Sequence, residues 1–270
     1  MPIGPLQRAV RATAVLAGIA LYATPITAQA TRDQSRLVIG VSAGYIGGTD
    51  LWSVSAQPIR TSTEAVDVYA LERRLRPNVT LTGHATWFKS ANLGFTGEVS
   101  YIGLGTEDKC RLSVASGDPL NRLACLAING NQRPASAVSV GGGVVFRPAS
   151  RAFLQPYARA VGGIAIAPRS VVRTVGTIGA FGDTVFSVYA EDNSSDSKLL
   201  GTLAVGLATS ASPGYQFRIE LRNSWIQLPI VTGPTAFQGL VPPTRTAWKA
   251  LPSLVVGFDI VLEKRRGRRY

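Results

Sequence analysis

After residue 35, hydrophobic and polar residues alternate along most of the chain with a period of two. Residues 215–226 display this most fully. Tyr215, Phe217, Ile219, Leu221 and Trp225 interleave with Gln216, Arg218, Glu220, Arg222 and Ser224. Wound as a helix, the segment would scatter its charges around the surface; as a strand it sets them on one face. The final segment repeats the arrangement. Leu254, Val256, Phe258, Ile260 and Leu262 lie on one side, Ser253, Gly257, Asp259 and Glu263 on the other. Similar segments at 36–46, 79–88, 94–105, 135–146, 153–166 and 198–209 bring the predicted strands to eight. Each has about the 9–11 residues that a tilted strand needs to cross a bilayer, or slightly more.

The connections alternate in length. Short turns near 89–93, 147–152 and 210–214 carry Asn92, Pro148 and Ser212-Pro213-Gly214. Long connections run over 47–78, 106–134, 167–197 and 227–250. Two contain strand-like pairs, 52–59 with 66–75 and 170–176 with 184–190, expected as hairpins projecting beyond the membrane. If one of them spans, the strand count becomes ten. An even number of strands with short turns at one end and long loops at the other is the pattern of single-chain bacterial outer-membrane barrels. A soluble secreted β-sandwich, the rival architecture, has no cause to alternate so regularly. The predicted fold is therefore all-β, an eight-stranded antiparallel transmembrane β-barrel with short periplasmic turns and long extracellular loops, occupying residues 31–263.

The C-terminal strand strengthens this. Gly257, Ile260 and Leu262, within Gly257-Phe258-Asp259-Ile260-Val261-Leu262, resemble the end-strand signal read by the barrel-assembly machinery. Val255 departs from it, standing where a polar residue is usual, and a basic tail over 264–270 follows. Taken whole, residues 36–263 resemble the small OmpA/OmpX-type barrels. The resemblance rests on pattern across the chain and implies a monomer surrounded by outer-membrane lipid.

The N-terminus agrees with export. Arg8 and Arg11 precede an apolar run, Ala12 to Ala23, and then Ala28-Gln29-Ala30. This reads as a signal peptide over residues 1–30 with cleavage after Ala30, or after Ala28 as the near alternative. The run is too short to span a bilayer as a helix.

Charge changes the picture little. The formal net charge is +12, but two arginines belong to the leader and five basic residues to the tail. Without those seven, 21 basic residues face 16 acidic ones, and no cluster of Lys/Arg with aromatics marks a nucleic-acid surface. With one His, one Met and two Cys, the chain offers no multi-histidine or multi-cysteine metal site, and no cofactor is expected.

An Arg or Lys on the outer face at the bilayer midplane costs about 2–4 kcal/mol, so the charged rows must point inward. The predicted luminal network comprises Glu98, Tyr157, Arg159, Arg218, Glu220, Arg222, Asp259 and Glu263. Small residues on the intervening strands leave room for them: Ser139, Gly141 and Gly143 on the fourth, Thr202, Ala204 and Gly206 on the sixth. An eight-stranded barrel encloses little more than side chains, so paired charges are expected to fill the lumen. A narrow ion path is the alternative.

The sole histidine raises one catalytic possibility. With a turn at 89–93, His84 opposes Glu98, Thr86 opposes Thr96, Phe88 opposes Gly94, Trp87 meets Phe95 and Leu81 meets Tyr101. His84, Thr86 and Glu98 then share the lumen. The outer-membrane lipid A deacylases have a similar grouping, with a Ser nucleophile on the lipid face; here the hydroxyl is Thr86 and it points inward. A hydrolase also needs substrate access, which a filled lumen denies. Finally, Cys110 and Cys125, the only cysteines, share one long loop of an exported chain and are expected to form a disulfide, with residues 120–126 folding back as a short helix. The expected function is a non-enzymatic barrel with a structural or surface-interaction role. A small channel and a lipid A-modifying hydrolase using His84 are the alternatives.

Overall fold

The computed structural model of the chain describes residues 36–60, 66–150, 153–166, 172–179, 183–190, 197–212 and 214–262. The expected leader (1–30), Glu263 and the basic tail (264–270) lie outside them. The elements in chain order are β1 (Arg36–Ile46), β2 (Thr49–Ile59), β3 (Asp67–Leu75), β4 (Asn78–Phe88), β5 (Leu93–Gly103) and β6 (Thr106–Val114). A helix, α1 (Pro119–Ile128), is followed by β7 (Gln132–Arg133), β8 (Ser136–Phe146), β9 (Leu154–Ile166), β10 (Thr174–Gly179) and β11 (Asp183–Tyr189). The last three are β12 (Ser197–Ser212), β13 (Tyr215–Val231) and β14 (Thr244–Leu262).

Eight strands close into an antiparallel barrel in the order β1-β14-β13-β12-β9-β8-β5-β4. Directly paired residues can be followed around it from Leu37 through Trp87, Phe95, Val144, Ala160, Leu203, Asn223 and Pro252. Gly47, just past the end of β1, donates its N–H to the Pro252 carbonyl and closes the circuit ten residues beyond Leu37. A stagger of this kind tilts the strands against the barrel axis. The two loop hairpins do not enter the barrel. β2 and β3 belong to a separate four-stranded sheet, β2-β3-β6-β7, and β10 pairs with β11 alone, which answers the question of eight strands or ten.

Polarity is inverted relative to a soluble protein. Outward-facing Ile39, Val41, Leu81, Val99, Val140, Leu203, Ile219 and Leu221 are exposed, while Thr82, Glu98, Arg159, Arg218, Glu220 and Arg222 are buried inside. Closure pairs the backbone of every barrel strand, so an apolar outer wall meets what hydrocarbon demands. Aromatic side chains gather towards the end with the short turns. Trp87 and Phe95 stack there at 6.2 Å, and Tyr215 and Phe258 at 5.6 Å.

Three strands run further than the alternation predicted. β13 continues to Val231 and β14 starts at Thr244, so the connection expected at 227–250 shrinks to 232–243. β12 likewise reaches Ser212. The reason is visible on β13. Its inward face is Arg218, Glu220, Arg222 and Ser224, then Ile226 and Leu228, both almost fully buried. Its outward face changes the opposite way, from Phe217, Ile219 and Leu221 to Asn223 and Gln227. Beyond about Trp225 the strand therefore behaves as part of a soluble protein, with an apolar inside.

That apolar inside belongs to a module built from the long connections. Ile46, Ile102, Leu200, Ile226, Leu228 and Leu251 from the barrel mouth join Leu51, Trp52, Tyr69, Leu71, Ala124 and Ile128 in one core. α1 starts at the Asp118 cap, whose carboxylate accepts from the Leu120 N–H at 2.8 Å, with Pro119 in the first turn. Asn121, Ala124, Cys125 and Ile128 form its buried face. Cys110 and Cys125 are joined by a disulfide, with their Cα atoms 5.4 Å apart. A buried ion pair ties the sheet to the β10–β11 hairpin. Arg73 meets Asp108 through Nε–Oδ1 at 2.5 Å and Nη2–Oδ2 at 2.7 Å, and also donates to Thr174 Oγ1 and the Arg173 carbonyl. The Tyr69 hydroxyl donates to the Asn121 carbonyl. Burial, with Asp67 and Asp118 nearby, holds this phenol above its ordinary pKa, so it remains a donor.

Candidate functional site

The inward faces of β5, β9, β13 and β14 carry the charges, and the register brings them to one level of the lumen. Gly206 is the cross-strand neighbour of both Tyr157 and Glu220, and Ala204 of both Arg159 and Arg222. Small residues on β12 thus separate large ones on β9 and β13. A methyl group at Gly206 would sit 2.7 Å from Tyr157 Cζ, and one at Gly257 would sit 2.5 Å from Arg218 Nε. These glycines are the space into which their neighbours extend.

Glu220 is the hub. It accepts from Tyr157 at 2.9 Å, from Arg159 Nη2 at 2.5 and 2.6 Å, and from Arg222 Nε at 2.9 Å. Arg218 Nη1 lies 4.0 Å from it. Glu98 joins from β5, 3.4 Å from Arg159 and 3.6 Å from Arg222. Asp259 joins from β14, 3.5 Å from Arg218 Nε and 3.6 Å from His84 Nε2. Three guanidinium groups and three carboxylates thus make up this network among the described residues, an arrangement that offsets the cost of burying each. Of the eight residues expected in the network, seven meet in this way; Glu263 lies outside the described residues.

The predicted β4–β5 register is the observed one: His84 opposes Glu98, Thr86 opposes Thr96 and Phe88 opposes Gly94. The side chains then part company. His84 Nδ1 is 3.1 Å from Arg218 Nη2, Glu98 engages Arg159 and Arg222, and the Thr86 hydroxyl donates to Thr96 Oγ1 at 2.9 Å. Neither Thr86 nor Glu98 bonds to His84, so the three form no nucleophile–base–orienter relay. Among the described residues no group of three or more His, Cys, Asp or Glu side chains is placed to hold a metal ion. Gly257, Ile260 and Leu262, the assembly-signal residues, lie on β14 with Gly257 inward and the other two outward.

Two further layers complete the fill. Towards the short turns, a cavity of about 50 Å³ lies below the network, with His84, Tyr157, Arg218 and Asp259 among its lining. Val38, Phe88 and Val145 pack together at that end, and the Arg147 guanidinium lies 3.6 Å from the Phe88 ring centroid. Towards the long connections, hydroxyl pairs (Thr82 with Ser100, Thr202 with Ser224) give way to the apolar core at Ile46, Ile226, Leu228 and Leu251. Sequence reading missed this apolar seal. Its signal was present, because the inward parity of β13 simply continues as Ile226, Leu228 and Ile230 past the charged stretch.

No family model and no curated protein sequence matches the chain. Among solved structures it is similar to Neisserial surface protein A, at 10% identity over 85% of this chain and 99% of that one, with a TM-score of 0.38. It is also similar to the outer membrane protein AlkL, determined in DMPC lipid bilayers, at 13% identity over 92% and 99%, with a TM-score of 0.39. A third is Ail, the attachment invasion locus protein of Yersinia pestis, in complex with the heparin analogue sucrose octasulfate. It is 10% identical over 86% of this chain and 100% of that one, with a TM-score of 0.35.

Proposed function

We propose that this eight-stranded barrel of the small outer-membrane type is a non-enzymatic anchor, holding a rigid module at the bacterial surface. The observation that carries the reading is the change of polarity along β13. One strand is built for lipid outside and charge inside up to Trp225, and for an aqueous outside and apolar inside beyond it. A barrel evolved to conduct has little use for an apolar core across its mouth, and the ion pairs below that core balance one another in charge. By the rule that long loops face outward, the module lies outside the cell and both chain ends face the periplasm. Export through the leader, delivery by the barrel-assembly machinery and a monomeric state surrounded by outer-membrane lipid belong to the same reading.

Two measurements test it. Protease added to intact cells is expected to cut within 232–243 and to spare the 147–152 turn; cuts confined to the short turns would invert the topology. Purified protein in planar bilayers is expected to give no steady conductance, and a reproducible unitary current would replace the anchor with a channel.

A further inference from the structure

The solvent face of the β2–β3–β6 sheet carries a cleft of about 400 Å³ that neither the barrel nor the module's core accounts for. Strand register builds it. Ser53 lies beside Glu72 and Glu72 beside Lys109, while Ala70 lies beside Arg111 one row further on. Ser53, Ser55 and Ala70 are small and leave the floor low; Glu72, Lys109 and Arg111 are long and rise around it. Asn129, at the end of α1, also lines the cleft.

Among the described residues, the charged side chains here are uncommitted. Glu72 and Lys109 oppose each other in register, yet among the described residues they form no ion pair and Arg111 has no salt-bridge partner. The backbone beneath them is held firmly. Cys110, between the two cations, is bonded to Cys125 of α1, and Asp108 is bonded to Arg73. A site whose frame is already fixed loses little entropy on binding.

We propose that this cleft binds an acidic saccharide, one bearing a carboxylate or a sulfate. Lys109 and Arg111 sit two residues apart on one strand face, roughly 7 Å along it, and the Arg111 fork suits a planar or tetrahedral oxyanion. Glu72, Ser53 and Asn129 supply the acceptors and donors that sugar hydroxyls require. Val54, Leu71 and Cys110 also line the cleft, but Val54 and Leu71 are almost fully buried in the core beneath it, so recognition falls to the polar groups. The volume lies within the usual range for small-molecule sites. This rests on the reading that the module faces outward.

The test uses the full-length protein in detergent micelles and three probes on one scaffold: sialyllactose, sulfated lactose and lactose. Calorimetric titration to roughly millimolar sugar is expected to show saturable binding of at least one acidic probe, with lactose about tenfold weaker or more. The carboxylated and sulfated arms identify which anion is preferred. Lys109→Ala with Arg111→Ala is expected to weaken binding about tenfold or more, with unchanged melting, whereas Arg245→Ala leaves it unchanged. Equal affinity for lactose, no binding of either acidic sugar, or full affinity in the double variant would overturn the assignment. Binding to purified protein without binding of the same labelled probe to intact cells keeps the cleft and overturns the outward topology.

Discussion

His84 and Glu98 stand directly opposite each other on β4 and β5, yet each turns to a different partner. His84 faces Arg218 and Asp259 across the lumen, and Glu98 faces Arg159 and Arg222. Adjacency in the sheet brought them level; charge balance across the barrel drew them apart. The histidine is thereby a polar partner of Arg218 and Asp259 within the luminal network, and the hydroxyl that catalysis would need is spent on Thr96.

His84→Ala and Thr86→Ala are accordingly expected to leave lipid A unchanged by mass spectrometry of expressing cells. His84→Ala should lower the unfolding temperature, because a buried guanidinium loses a partner at a cost of about 1–3 kcal/mol. A lipid A mass shift that vanishes in either variant would restore the hydrolase reading.

Removing the hub should be far more damaging. Glu220→Leu leaves Arg159, Arg218 and Arg222 with two carboxylates among the described residues, and about 3–5 kcal/mol of stability is expected to go. Adding Arg159→Leu should recover part of it, since the second change removes the stranded charge. Heat-modifiability on gels measures both. Equal stability of the single and double variants would mean the pair is not coupled.

The polarity switch on β13 predicts a steep dependence on position. Ile219→Arg, on the apolar outer wall, is expected to cost about 2–4 kcal/mol, whereas Gln227→Arg, two residues past Trp225, should cost about 0–1 kcal/mol. Denaturant titration of the barrel in lipid vesicles separates them. Similar costs at the two sites would move the membrane boundary.

Reduction of Cys110–Cys125 is expected to act on the module alone. The bond closes a loop with a sequence separation of 15, so about 3 kcal/mol is at stake in the chain-entropy model. Limited proteolysis after reduction should cut within 115–130 while the barrel stays folded. Thiol labelling of the unfolded, unreduced protein should find no free thiol.

The sequence by itself determined which residues form strands and which face each takes. Alternation is a local property of the extended backbone, so Arg218 and Ile219 declare their opposite sides without help from the rest of the chain. It also determined the β4–β5 register, because a short turn leaves few ways to pair what flanks it. Most of the luminal residues and the disulfide pair were legible for the same reasons: buried charge must point away from lipid, and two cysteines allow one bridge within the chain.

Only the tertiary structure decided what those residues meet. Arg218 reaches His84 across a separation of 134 residues, and no local rule selects that contact over Glu98. Barrel closure does, because the stagger sets which levels of distant strands coincide. The module was illegible for a related reason. β3 pairs with β6 across the whole of β4 and β5, and Arg73, buried between Asp108 and Thr174, looks like any surface arginine until the hairpins fold over the barrel mouth. Long connections leave pairing to be decided by burial of apolar surface, which exists only once the whole mouth is assembled.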